Sequence, residues 1–249
     1  MKTLPFAIPL TTIFRHLLRR LRSFDSIQIN SSLIIVSFLA SSVLFQPLVF
    51  AQNATLNPKE ICQNMVQKRL AMMNKQQWNK WRRTNDFSVS YVTNVNNLIT
   101  IKANISLTMS ADEFLDILHD VESIPDWTAQ ADSAHIEQLS PTRNILTLNF
   151  AETWPVGPRE LIIESHINHC EPFIFIDVKN VERAPSNQDI IKMELLEGYW
   201  IIQSLSANKI EVHYVSSVDP KGDIPQWIAQ KVALRNIWRT LSNLHQLAN

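Results

Sequence analysis

A cluster of charged side chains surrounds one turn in the second half of the chain. Glu152 precedes the segment WPVGP at residues 154–158, and Arg159 and Glu160 follow it directly. Two prolines fix their φ angles and Gly157 permits an unusual backbone conformation, so the turn is expected to be rigid. Two roles fit these charges. They form an ion pair that pins the corner, an arrangement of small energetic weight, or Arg159 or Glu152 faces a cavity and orients the polar group of a bound molecule.

Glu152 has a further property that favours a binding role. It is in phase with the apolar residues of a predicted strand, which places it on the strand's apolar face. Those residues are Leu146, Leu148, Phe150 and Trp154. A buried carboxylate needs a partner because a lone buried charge is costly, and Arg159 is the nearest in the corner. The alternative is that Glu152 lies at the rim, in water.

The chain offers little for catalysis. No GxSxG or HExxH motif is present, and no residue is singled out as a nucleophile. An acid/base pair inside a cavity would have to come from isolated residues such as Glu152 and His213. His166, His169 and Cys170 lie close in sequence, but on a strand His169 points away from the other two, so we predict no metal site and no cofactor.

The charge distribution argues against a nucleic-acid partner. The 249 residues hold 23 basic and 23 acidic side chains. Residues 1–51 contain five basic side chains and one carboxylate, so residues 52–249 contain 18 basic and 22 acidic ones, a net charge of −4. Phosphate neutralisation needs a basic surface. The chain also has only three glycines, too few for a glycine-rich phosphate-binding loop.

The first 51 residues have the pattern of an export signal. A basic region precedes the apolar segment 31–51, which ends in Leu-Val-Phe-Ala with small residues at Val49 and Ala51. We predict cleavage before Gln52, with the alternative of an uncleaved membrane anchor. Either way residues 52–249 leave the cytoplasm, to the periplasm if the host is Gram-negative. In that compartment Cys62 and Cys170, the only cysteines, form a disulfide or remain two separate buried thiols.

The remaining 198 residues fit one domain built from strands between helices. Residues 58–83 are helical in composition, residues 99–109 alternate strictly between apolar and polar, and Ser110 to Glu113 form a capping box. The helix that follows stops before Pro125. Candidate strands are residues 132–140, 143–153, 160–169, 173–182, 188–196, 198–205 and 209–218. Short turns between them predict antiparallel neighbours.

A long amphipathic helix at residues 224–247 is the expected cover for this sheet. A curved sheet packed on one helix leaves a space where apolar ligands bind. Trp227, which opens the helix, is the best candidate for the cavity wall. Phe150 and Tyr199 are further candidates.

Three stretches resemble the START family of helix-grip lipid-binding domains, in its bacterial exported form. Residues 120–127 (DVESIPDW) resemble the segment after the first inner helix, and residues 154–160 (WPVGPRE) resemble a Trp-Pro…Arg-Asp turn, with Glu160 where Asp is usual. Residues 219–227 (DPKGDIPQW) resemble the Asp-Pro-x-Gly-x-Ile-Pro-x-Trp start of the C-terminal helix. The likeness covers about residues 57–247. It implies an α+β helix-grip fold: a curved antiparallel sheet of about seven strands wrapped around a long C-terminal helix.

The resemblance also implies a function without chemistry. An exported monomer would hold a lipid or another hydrophobic molecule in a tunnel between sheet and helix, with transient contact to a membrane. The candidate ligand-binding residues are Phe150, Glu152, Trp154, Arg159, Tyr199 and Trp227. One alternative is an enzyme of the polyketide cyclase or hydrolase type on the same fold, because fold does not decide function. The other is an envelope interaction protein with a filled core.

Overall fold

A computed structural model describes residues 57–152 and 156–248. The first helix, α1 (Pro58–Lys75), starts at Asn57, which forms a capping box with Glu60. It ends earlier than its composition predicts, because Gln76 is extended and residues 79–83 form a strand instead. The indole Nε1 of Trp78 donates to the Met73 carbonyl oxygen at 2.7 Å, closing the helix end. Pairing with a neighbouring strand thus overrides helical composition.

The alternating segment forms a strand as predicted. The first strands are β1 (Asn79–Arg83), β2 (Phe87–Thr93) and β3 (Ile99–Leu107). The odd-numbered residues of β3 are all buried and the even-numbered ones only partly. The predicted capping box then starts α2 (Ala111–His119), and the short helix α3 (Ile124–Trp127) follows.

Seven further strands and one helix complete the fold. They are β4 (Ala131–Ser140), β5 (Arg143–Phe150), β6 (Arg159–Cys170), β7 (Phe173–Asn180), β8 (Ile191–Lys192), β9 (Glu194–Ser206), β10 (Lys209–Asp219) and α4 (Gln226–Leu247). The described residues therefore contain ten strands, more than the seven or so expected. The excess includes β1 and the two-residue β8, both too short or too polar to be read from alternation. Residues 194–206, expected to be interrupted, form one strand through Gly198.

The ten strands form one curved sheet in the order β1-β2-β3-β10-β9-β7-β6-β5-β4, with β8 joined to β6. The pairings are antiparallel except for the parallel β6–β8 contact. The C-terminal strand β10 therefore lies in the middle of the sheet, between β3 and β9. This architecture confirms the predicted helix-grip class.

Each face of the sheet has its own core. The inner face packs against α2 and α4 through residues such as Phe114, Leu234 and Leu241. The outer face packs against α1 in a smaller cluster that includes Val66 and Tyr199. None of the helices within the described residues combines the length and apolar character needed to cross a membrane.

Candidate functional site

The space between the inner face and α4 is a cavity of about 350 Å³, within the range typical of small-molecule sites. Its walls come from the sheet, from α2 and α3 and from the inner side of α4. Apolar side chains dominate this lining, including Ile101, Leu115, Leu148, Leu161, Ile176 and Ile237. No Asp or Glu is part of the wall that the described residues form.

The β5–β6 pair gives one wall of the cavity a graded polarity. Register pairs Phe150 with Arg159, Leu148 with Leu161, Leu146 with Ile163 and Asn144 with Ser165. All eight residues line the cavity. The wall thus runs from a cation, past two apolar rungs, to a neutral polar pair. Six residue steps along a strand span about 20 Å.

Arg159 is the charged end of this wall, and its side chain is held by backbone carbonyls. The residue is only 6% exposed. Its Nε donates to the Pro220 oxygen at 3.1 Å, and its Nη1 donates to the Gly157 and Pro158 oxygens at 3.0 and 3.1 Å. The guanidinium therefore joins the first residue of β6 to the turn that precedes α4.

The positive charge of Arg159 is not balanced by a carboxylate. Among the described residues it forms no ion pair, and its Nη2 forms no hydrogen bond there. Burial lowers the pKa of the Arg159 guanidinium, but arginine stays protonated in proteins. Gly222 makes room for the group, because a Cβ there would lie 3.2 Å from Nη2, whereas a Cβ on Gly157 would lie at an ordinary contact distance of 3.6 Å from Nη1.

Glu160 does not neutralise Arg159, because neighbouring strand residues point to opposite faces. Glu160 is fully buried, and its Oε1 accepts a hydrogen bond from the Ser186 backbone N–H at 2.9 Å. Its Oε2 has no hydrogen-bond partner among the described residues. The Glu160 carboxylate therefore binds the backbone at Ser186 and does not pair with Arg159.

The structure brings two of the six predicted ligand-binding residues to the cavity, Phe150 and Arg159. Glu152 is exposed, because β5 ends at Phe150 and the predicted alternation stops before it. Trp227 is 61% exposed and does not line the cavity. Trp154 lies outside the described residues.

Tyr199 lies on the outer face of the sheet, against α1. Its ring lies 5.0 Å from the guanidinium carbon of Arg69. Burial, with a smaller contribution from the charge of Glu197, raises the pKa of Tyr199 to about 12. The residue that faces the cavity is its neighbour, Trp200.

Sequence reasoning missed an aromatic pair in the cavity wall. Trp200 and Tyr214 are direct cross-strand partners on β9 and β10, with ring centroids 4.3 Å apart. Phe114 of α2 extends the cluster, with its ring 6.1 Å from that of Trp200. A usable signal existed, because Trp200 is in phase with Gly198 and Ile202 on the strand face opposite to Tyr199.

The residues considered for acid/base chemistry are not brought together. His213 lies on the outer face of the β3–β10 pair, where its Nδ1 is 2.8 Å from Asn104 Oδ1. Burial, as the largest cause, lowers the pKa of His213. Neither His213 nor the exposed Glu152 is part of the cavity wall.

The two cysteines meet on the outer face. Cys62 of α1 and Cys170 of β6 are joined by a disulfide, with Cα atoms 5.4 Å apart. This bond links the N-terminal helix to the end of a central strand. The disulfide uses the Cys170 sulfur, so Cys170 is not a free thiolate that could bind a metal with His166 and His169. No group of metal-binding side chains occurs in the described part of the chain.

Sequence and structural comparisons define the class of protein. The START domain family profile matches residues 60–242, so the chain belongs to the START domain family. Among curated proteins, the mouse and human START domain-containing protein 10 are 24% identical over 139 residues, covering 49% of this chain. The chain spans less than half (43%) of the length of these relatives.

Solved structures share the fold at low sequence identity. Human StAR-related lipid transfer protein 5 superposes with a TM-score of 0.64 at 15% identity, covering 76% of this chain and 96% of the other. A STAR-related lipid transfer protein from Xanthomonas axonopodis gives 0.62 at 20% identity, covering 70% and 99%. Human STARD10 gives 0.61 at 19% identity, covering 71% and 77%.

Proposed function

We propose that the domain binds a lipid or another hydrophobic small molecule in the cavity between sheet and α4 and shields it from water without changing it chemically. The observation that carries this proposal is the cavity of about 350 Å³ with a mainly apolar wall. Burial of apolar ligand surface is worth roughly 25 cal/mol per Å². The two residues considered for acid/base chemistry, Glu152 and His213, are not part of this wall. The two structural relatives named for lipid transfer support the same reading.

Mass spectrometry of an organic extract from the purified domain tests this proposal. We expect a stoichiometric hydrophobic compound that is absent from a mock purification. The variant Ala233→Phe places a ring in the cavity from α4 and should purify without the compound, whereas Gln246→Phe, at an exposed position of the same helix, should retain it. An empty wild-type extract, with no uptake of added lipids, would contradict the proposal.

We also propose that the outer side of α4 contacts an anionic membrane during ligand exchange. The helix contains Lys231, Arg235 and Arg239 at four-residue spacing, all exposed, and no Asp or Glu. This charge contrasts with the net acidity of residues 52–249. Trp227 extends the same exposed face, and the Lys231 Nζ lies 4.9 Å from its ring centroid. An aromatic ring beside cations suits an anionic bilayer interface.

Vesicle sedimentation tests the membrane contact. We expect binding to vesicles that contain phosphatidylglycerol and none to pure phosphatidylcholine. Changing Lys231, Arg235 and Arg239 together to Gln should abolish binding, and Trp227→Ala should weaken it. A matched control changes the exposed Lys68, Lys75 and Lys209 to Gln, which removes the same charge elsewhere. Equal loss in both triple variants would show that net charge alone matters and would refute a specific face.

We propose further that the domain works outside the cytoplasm, in the periplasm of a Gram-negative host or anchored by residues 31–51. The basic and then apolar pattern of residues 1–51 supports this location. The Cys62–Cys170 disulfide supports it too, because disulfides persist in oxidising compartments. Fractionation with N-terminal sequencing tests it: Gln52 at the mature N-terminus supports cleavage, and an intact chain in the membrane fraction supports an anchor. An intact chain in the cytoplasm would contradict both.

A further inference from the structure

The cavity contains an electrostatic imbalance. Arg159 is the only Lys, Arg, Asp or Glu among the described residues that line it. The guanidinium is buried at one end of the β5–β6 wall, and its three hydrogen bonds go to backbone oxygens. Carbonyl dipoles solvate a cation but do not neutralise its charge. A buried charge without a counter-ion is unfavourable, and a charged partner with further hydrogen bonds relieves that cost.

The hydrogen-bonding capacity of Arg159 is also only partly used. A guanidinium has five N–H donors. The one on Nε and the two on Nη1 account for the three bonds to Pro220, Gly157 and Pro158. The two N–H groups of Nη2 have no acceptor among the described residues. Gly222, at φ +71°, packs so closely against this group that a Cβ there would lie 3.2 Å from Nη2.

We propose that Arg159 binds the anionic head group of an amphiphile, a carboxylate or a phosphate monoester, whose hydrocarbon part lies along the β5–β6 wall. This inference rests on the proposed function and narrows its ligand class. Carboxylates and phosphates are the acceptors that match a guanidinium in charge and geometry. A neutral alcohol would accept one hydrogen bond and leave the charge of Arg159 uncompensated.

The rest of the wall agrees with this orientation. Beyond Arg159 come the apolar pairs Leu148–Leu161 and Leu146–Ile163, and only then the neutral Asn144 and Ser165. The distance of about 20 Å along the strand from Arg159 to Ser165 suits an extended hydrocarbon chain. An amphiphile placed in reverse would put its anion beside neutral polar groups and its methyl end against a cation. The gradient therefore selects one direction of binding.

The first test changes the ligand and leaves the protein intact. Hexadecanoate, hexadecyl phosphate and hexadecanol compete at pH 8 for the wild-type domain against a fluorescent long-chain alcohol. We expect both acids to bind at least about tenfold more tightly than the alcohol, because hydrogen bonds between a guanidinium and an anion are stronger than those to a neutral hydroxyl. Inorganic phosphate should not compete, because it has no hydrocarbon part. The two acids distinguish a carboxylate receptor from a phosphate receptor.

The outcomes separate this inference from the proposed function. Binding of the alcohol with equal or weaker binding of both acids would overturn the role of Arg159 and leave a hydrophobic carrier. No binding of any of the three, nor of the fluorescent alcohol, would overturn the carrier itself. Competition by inorganic phosphate as strong as that by the acids would show a simple anion site and would also overturn the inference.

The second test changes the protein. Arg159→Met keeps length and apolar bulk but removes the charge, and we expect the preference for the acids to fall to within about twofold while hexadecanol binding is retained. Arg183→Met removes a cation that is exposed and paired with Glu137, so it should leave the preference unchanged. A preserved preference in Arg159→Met would refute the inference. If this variant does not fold, the ligand series on the wild-type domain still decides the question.

Discussion

The Nε of Arg159 donates a hydrogen bond to the carbonyl oxygen of Pro220, 61 residues further along the chain. This single contact joins the start of β6 to the turn before α4, so the charged end of the cavity and the helix that covers it are mechanically connected. Outward movement of α4 that carries the turn at Pro220 with it would break this bond. Ligand binding at Arg159 and movement of α4 are therefore expected to be coupled.

The tight packing of Gly222 against this arginine predicts a strong effect of a single methyl group. In Gly222→Ala the new Cβ would lie 2.9 Å from Ile191 Cδ1 and 3.2 Å from Arg159 Nη2, at a φ of +71° that favours glycine. We expect the free energy of unfolding to fall by about 1–2 kcal/mol. Urea denaturation measures it.

Gly157→Ala is the matched control for this prediction. It adds the same methyl group on the other side of the guanidinium, at an ordinary distance of 3.6 Å from Nη1 and without a positive φ. We expect a change within about 0.5 kcal/mol. Equal effects of the two substitutions would show that neither the positive φ of Gly222 nor its close contacts with Ile191 and Arg159 determine the loss of stability.

A buried hydrogen bond of Thr240 attaches α4 to the segment between α3 and β4. Its buried Oγ1 accepts a hydrogen bond from the backbone N–H of Ala129 at 3.0 Å. Thr240→Val keeps the shape but leaves that N–H unsatisfied, and we expect a loss of about 1–3 kcal/mol in thermal or urea unfolding. Thr240→Ser retains the hydroxyl and should lose less. An unchanged free energy of unfolding in Thr240→Val would mean that a water molecule replaces the hydroxyl as the acceptor.

The disulfide predicts a large dependence of stability on reducing agent. Cys62 and Cys170 are separated by 108 residues, and a closed loop of that size limits the unfolded chain strongly. We expect reduction to lower the free energy of unfolding by about 2–5 kcal/mol. The double variant Cys62→Ala/Cys170→Ala should resemble the reduced protein and ignore the reductant. A wild-type unfolding curve unchanged by reductant would contradict this.

The capping box at α2 predicts a specific pH dependence. The backbone N–H of Ser110 donates to Glu113 Oε2 at 2.7 Å, and this bond, followed by the one with the Ser110 side chain, lowers the pKa of Glu113. A lowered folded-state pKa stabilises the protein above the unfolded pKa of about 4.3, and the contribution disappears as the pH falls through the folded value.

The stability of Glu113→Gln relative to wild type measures this contribution. We expect the variant to be less stable at pH 7 and the difference to vanish as the pH falls below about 4. Asp112→Asn makes the same charge change in the same helical turn, without the bond to Ser110, and should show a smaller dependence. A difference for Glu113→Gln that persists unchanged at low pH would refute the charge explanation.

Local patterns predicted most of the fold. Alternation located β3 within two residues, and the Ser110 capping box placed the start of α2. The composition of residues 58–83 was misleading at its end, because β1 is stabilised by pairing with β2, which the composition of residues 58–83 does not show. The two-residue β8 exists only through its contact with β6 and has no pattern of its own.

The site was harder to predict because it depends on register and on where each strand ends. Arg159 was predicted from its place beside the turn and Phe150 from its phase in β5, and both line the cavity. Tyr199 was assigned to the wrong face, since alternation shows which residues share a face but not which face is inner. Glu152 lies two residues beyond the end of β5, where the strand's alternation no longer decides which way a side chain points.

The position of β10 has a consequence for synthesis of the chain. Its partner on one side is β3, and paired residues such as His213 and Asn104 are 109 positions apart. Until residues 209–219 have left the ribosome, β1–β3 have no hydrogen-bonded connection to the other strands, and β3 and β9 both present unpaired edges. Such edges promote aggregation, and pairings between distant residues form slowly. The chain therefore needs protection from aggregation until β10 has paired with both β3 and β9.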